Sequence, residues 1–193
     1  MPELDTIDVV LLGAMIPLLL ASAFFSASET VFFGLGVEDR AELRRRGGIA
    51  SGALDALLLK PRQLLVTVLL GNMTINTLFM TISAVLLLRH GTAPLTGLVF
   101  GAGSLILLII LGEILPKVAG QSHRIRGAAL LAPPLAAIHR VIAPLRIAIA
   151  RFVVIPLARL AGEAPSPHLG PEELAALLDV SVAEGAIDRS EEN

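Results

Sequence analysis

Three short polar runs interrupt an otherwise apolar chain, and their residue types are those that hold hard cations. Phe25-Ser26-Ala27-Ser28-Glu29-Thr30 offers hydroxyls and a carboxylate. Gly71-Asn72-Met73-Thr74-Ile75-Asn76 carries two amides at i and i+4, on one helical face. Gly112-Glu113-Ile114-Leu115-Pro116-Lys117 sets a carboxylate, a proline and an ammonium side by side. Carboxylate and carbonyl oxygens are what Mg2+, Ca2+ and Na+ prefer. Pro116 lacks an N–H and its ring crowds the carbonyl four residues back, so the expectation is a Gly112 C=O released from helical pairing. In hydrocarbon such a carbonyl must find another partner. Glu113 stands next to it.

These residues need elements that bring them together, and composition says what kind. Mean hydropathy is +0.78, with 54% hydrophobic and 17% charged residues, which is an integral membrane protein rather than a soluble domain. Without cysteine there is no disulfide, thiolate site or cysteine nucleophile, and without Trp or Tyr there is no aromatic belt. Three runs reach the roughly 20 residues that a bilayer demands. The expected spans cover about 9–35, 63–88 and 91–117. The acidic N-terminus, Glu3, Asp5 and Asp8, does not fit a cleaved signal peptide, so the first span is expected to be retained.

Between the first two runs lie Arg40, Arg44, Arg45, Arg46, Lys60 and Arg62, whereas the second turn holds only Arg89. The positive-inside rule then sets the N-terminus outside, the Arg-rich loop inside and the chain after Lys117 inside, in a multi-pass protein of the cell (inner) membrane. In that orientation Ser26, Asn72 and Glu113 fall at similar depth, towards the cytoplasmic ends of their helices. Intramembrane ionisable groups are functional by default, and their coincidence with amides and hydroxyls favours one ion site.

Plainer roles compete for each residue. Ser22, Ser83 and Ser104 are expected only to bond the preceding turn or a neighbouring helix. Asn72 has a competing role as interhelical glue, Glu113 as the i,i+4 partner of Lys117, and Glu29 as a carboxylate reaching the interface. Gly97 and Gly101 make a small-xxx-small face suited to close helix packing. Enzymatic readings lack residues: there is no nucleophile elbow, no H-E-x-x-H, no P-loop, and His90, His123, His139 and His168 lie in loops or interfacial stretches. Nucleic acid is not an expected partner.

Residues 127–162 are apolar but contain Pro133, Pro134, Pro144 and Pro156 among recurring basic residues. They are expected to form two or three amphipathic helices at the cytoplasmic interface, with a fourth span as the rival. Residues 163–193 read as a Pro-rich linker followed by an acidic helix from Glu172 to Glu184.

The three motifs, in this order and spacing, resemble the transmembrane domain of the CorC/CNNM family of magnesium transporters. Glu184-Gly185-Ala186-Ile187-Asp188 is similar to the acidic segment preceding that family's cytoplasmic CBS-domain pair. The resemblance implies an all-α membrane protein: residues 1–126 as three transmembrane helices, 127–162 as a cytoplasmic juxtamembrane helical belt, and 163–193 leading to a CBS region beyond this chain. It implies a homodimer in a lipid bilayer that exports Mg2+ against Na+ entry. ATP would act only through CBS domains that this chain does not carry. Carried over by position, Ser26 or Ser28, Asn72, Gly112 and Glu113 would ligate Mg2+. Glu29, Gly71, Asn76, Pro116 and Lys117 would support them. Two other readings stay open, a non-transporting anchor and dimeriser for regulatory domains, and a gated cation channel.

Overall fold

The computed structural model describes residues 5–90, 94–149, 151, 152 and 156. The linker, the acidic helix and the Glu184–Asp188 segment lie outside the described residues. Two compact units divide the chain, Met1–Arg146 and Ile147–Asn193, and the first carries the site.

Helix α1, Thr6–Gly34, starts at a double cap: Asp5 Oδ1 accepts from the Thr6 N–H at 2.7 Å, and the Asp5 N–H donates to Asp8 Oδ2 at 3.1 Å. Helix α2, Val37–Arg46, ends in three arginines, which favour the negative end of its dipole. The chain then reverses through Gly47 and Gly48, at φ 65° and 83°, conformations that side chains strain to adopt. Helix α3, Gly48–Leu58, leads to α4, Pro61–Arg89, with proline in its first turn where no N–H is needed. Helix α5, Pro94–Leu107, continues into a wider π-helical segment, π1, Leu108–Ile114, and then α6, Leu115–Ser122. Helix α7 is Arg124–Ile149.

Every element described is helical, in keeping with an all-α membrane protein. Four helical stretches are long and apolar enough to cross a membrane: Thr6–Gly34, Pro61–Arg89, Gly97–Ser122 and Arg124–Ile149. The first three overlap the expected spans of about 9–35, 63–88 and 91–117. The fourth departs from expectation, because α7 runs unbroken through Pro133, Pro134 and Pro144 instead of dividing into short helices. A proline in a helix interior costs about 3 kcal/mol in isolation. Here Ala128, Ala132 and Leu135, at i, i+4 and i+7, are buried in the same core as Val31, Phe32 and Leu64, and that packing outweighs the missing donors. By length and composition α7 is a fourth candidate span.

The core gathers on α1 and α4 around Phe25, Val31, Phe32, Leu64 and Val68. Large apolar side chains such as Val10, Ile16, Leu20, Met73 and Leu98 face outward, a surface suited to lipid rather than water. Two contacts fix α1 against α4. At one end, buried Asp8 takes an ion pair from Arg89 Nε at 2.6 Å, and Arg89 also reaches Asp5 at 3.2 Å. Midway, Gly71 leaves so little room that a Cβ there would lie 2.4 Å from the Phe25 ring. The polar runs meet at that close approach.

Candidate metal centre

Ser22 and Ser26 are one helical turn apart on α1, and both are fully buried. The Ser22 hydroxyl donates to Asn76 Oδ1 on α4 at 2.7 Å and lies 3.4 Å from the Gly112 carbonyl of π1. The Ser26 hydroxyl lies 3.4 Å from the Glu113 carbonyl. Asn76 Nδ2 donates to Glu113 Oε1 at 2.8 Å, so one network joins α1, α4 and π1. Ser22 has a single proton, and the shorter bond to Asn76 takes it. At 3.4 Å the two carbonyl contacts are too long to satisfy their acceptors fully. Gly112 and Glu113 therefore keep lone pairs for another donor or a cation.

Local structure explains how the carbonyls come to face α1. The helix does not break at Pro116 but widens ahead of it: the Leu115 N–H bonds to the Ile110 carbonyl, five residues back. Pro116 then falls in the first turn of α6, where it has no N–H to give the Gly112 carbonyl four residues back. A π-turn is a common way to absorb such a defect, and is frequent at functional sites. Gly112 is buried at the contact, and a Cβ there would come within 2.8 Å of Ser22 Oγ.

Asn72 supplies the most telling atom. Its Oδ1 is buried with no hydrogen-bond partner, a condition shared among the described residues only with Arg40 Nε. Leaving a buried acceptor unpaired costs about 1–3 kcal/mol. An amide that served as interhelical glue would be paired. This one is free to ligate.

Three sequence-derived residues, Ser28, Lys117 and Glu29, make their contacts outside this network. The Ser28 hydroxyl turns back on its own helix, donating to the Phe24 carbonyl at 2.7 Å, so of the two serines it is Ser26 that joins the network. Lys117 reaches Glu29, with Nζ 3.2 Å from Oε2, rather than pairing with Glu113 one turn away. The Glu113 carboxylate is accordingly held by Asn76, a neutral donor. A lone intramembrane serine most often bonds a neighbouring helix, which is the role the sequence suggests for Ser22. It does so here, but its partners are Asn76 and Gly112. The Ser22–Ser26 spacing of four, repeated in Asn72–Asn76, was the signal that both helices present matched polar faces.

Between α4, α5 and π1 a cavity of about 560 Å³ opens onto Asn76 and Glu113, with Thr77 and Thr81 along its wall. No group of three or more His, Cys, Asp or Glu side chains that could hold a metal occurs among the described residues. Any cation held here would meet one carboxylate and several neutral oxygens. A family model for the cyclin M transmembrane N-terminal domain, CNNM, matches residues 13–191.

The chain belongs to the CNNM family. The match takes in all three polar runs, so the network of α1, α4 and π1 lies within the CNNM domain. The family and the four apolar helices together make the chain a multi-pass membrane protein. No curated protein matches it.

Proposed function

We propose that this CNNM domain transports Mg2+ across the membrane, as a Na+-coupled exporter working by alternating access. The unpartnered Asn72 Oδ1, on the helix that also holds Glu113 through Asn76, is the observation that carries this reading. Asn72 Oδ1, a Glu113 carboxylate oxygen, the Gly112 carbonyl and the Ser26 hydroxyl are the oxygens available to the ion. Mg2+ dehydrates reluctantly and usually keeps several waters, binding through one or two carboxylates. A single carboxylate with neutral oxygens suits a cargo that must be released again. Na+ entering the same oxygens would reset the carrier. The charged and hydroxyl groups serve translocation rather than catalysis, and the working unit is a homodimer in the bilayer with the Arg-rich α2 region on the cytoplasmic side.

A second reading treats the domain as a passive anchor and dimeriser. The Ser22–Asn76–Glu113 bonds, in which polar groups satisfy each other, favour it; the orphaned Asn72 oxygen speaks against it. Mg2+ flux in proteoliposomes, with and without a Na+ gradient, separates the possibilities. Na+-dependent flux supports the exporter, flux indifferent to Na+ indicates a channel, and no flux leaves the anchor.

A further inference from the structure

A second cavity, of about 430 Å³, lies where the end of α2 meets the junction of α6 and α7. Asp39, Arg46, Ser122, His123, Arg124 and Arg126 are in its wall. Asp39 is the one acid in that lining among the described residues, and Glu42, on the same helix but outside the lining, takes up Arg46. Asp39 Oδ2 accepts the Gly36 N–H at 3.1 Å, and Glu42 pairs with Arg46 at 3.0 Å and with Arg45. The Arg46 guanidinium, and then Arg45, hold the Glu42 carboxyl below its ordinary range. Arg124 gives one N–H to the Gly34 carbonyl at 3.0 Å. Among the described residues no carboxylate lies within 4.0 Å of Arg124 or Arg126.

Two uncompensated guanidinium groups therefore share a cavity with the start of α7, whose dipole adds positive potential. Their planar forks match phosphate oxygens in pairs. The position adds a further constraint. Ser122 ends one candidate span and Arg124 begins the next, so the cavity sits at the end of two apolar stretches, an arrangement suited to meeting lipid phosphates. We propose that this cavity binds an anionic phosphate group through Arg124 and Arg126, independently of the cation site.

Phosphate of this kind comes from a lipid headgroup or from solution, and two arms distinguish the sources. In the first, native mass spectrometry of the full chain counts phosphatidylglycerol against phosphatidylcholine retained after extraction. In the second, inorganic phosphate is titrated calorimetrically. Removing one basic residue near a membrane surface should cost about fivefold in affinity. Among the described residues Arg126 has no side-chain hydrogen-bond partner, so R126Q spares the fold; R124Q/R126Q then tests the pair, and R140Q, an exposed α7 position outside the cavity, is the control. Fivefold loss in R126Q, more in the double variant and none in R140Q are expected, in the lipid arm for a headgroup and in the calorimetric arm for free phosphate. Absence of binding in both arms overturns the proposal. So does binding that survives both cavity variants, or that R140Q weakens equally.

Discussion

Asn76 on α4 holds Glu113 on π1, its Nδ2 donating to Oε1 across 2.8 Å while its own Oδ1 accepts from Ser22 on α1 at 2.7 Å. One amide thus ties together three segments that are distant in sequence. It also aims the sole carboxylate of the network. Asn76→Leu would leave Glu113 without its amide donor and the Ser22 hydroxyl with only its long contact to the Gly112 carbonyl. The expected result is a loss of about 1–3 kcal/mol of stability, from the unpaired groups left behind. Thermal unfolding of the purified protein without Mg2+ reads this directly, and Asn76→Gln should not restore it, since the longer amide reaches past both partners.

Gly71 is where α4 comes closest to α1. A methyl group at Gly71 would stand 2.4 Å from the Phe25 ring, so Gly71→Ala should force the helices apart or the ring aside, at about 1–3 kcal/mol. Phe25→Leu removes the obstructing atoms. If crowding is the cause, the double variant Gly71→Ala/Phe25→Leu should be more stable than the sum of the single losses implies, a coupling that a double-mutant cycle measures.

The Lys117–Glu29 pair is only partly buried, with side chains 40% and 30% exposed. Such pairs contribute about 0–1 kcal/mol. Because the ammonium is committed to Glu29, Lys117→Gln should change Mg2+ affinity by less than about threefold, within that same energy range. A tenfold gain in affinity would mean that Lys117 acts on the site after all.

Pro116 follows π1 and has no N–H for the Gly112 carbonyl four residues back. Pro116→Ala supplies that donor and should narrow the π-turn towards an ordinary α-turn. The Gly112 carbonyl would then be drawn away from α1, and Mg2+ affinity should fall by about tenfold, the equivalent of one hydrogen bond of roughly 1–1.5 kcal/mol. Calorimetric titration with Mg2+ checks it; unchanged affinity would show that the carbonyl plays no part.

The apolar runs of α1, α4 and α5–π1–α6 were legible because bilayer length and charge distribution act on whole segments. The three polar motifs were legible for the same reason, as exceptions within those segments. What sequence could not supply was the relative rotation of the helices. Whether Ser26 or Ser28 faces π1 depends on about 200° of helical phase, which the close packing of Phe25 against Gly71 helps to fix. Lys117 had two carboxylates within reach, Glu113 along its helix and Glu29 across from it, and the choice is a tertiary one. The continuity of α7 was obscured by its prolines, whose local cost is visible in sequence while the compensating burial of Ala132 and Leu135 is not.

Asn72 offers the most direct test of a cation site between α1, α4 and π1. Its buried, unpartnered Oδ1 costs stability in the empty protein, and an ion would recover that cost. Thermal unfolding of wild type and Asn72→Leu, each with and without saturating Mg2+, separates a ligand from a structural amide. A cation site requires that Asn72→Leu leave the Mg2+-free protein as stable as wild type, or more so, and abolish the rise in Tm that Mg2+ gives the wild type. A variant destabilised without Mg2+, or one whose Tm still rises with Mg2+ as the wild type's does, would contradict it.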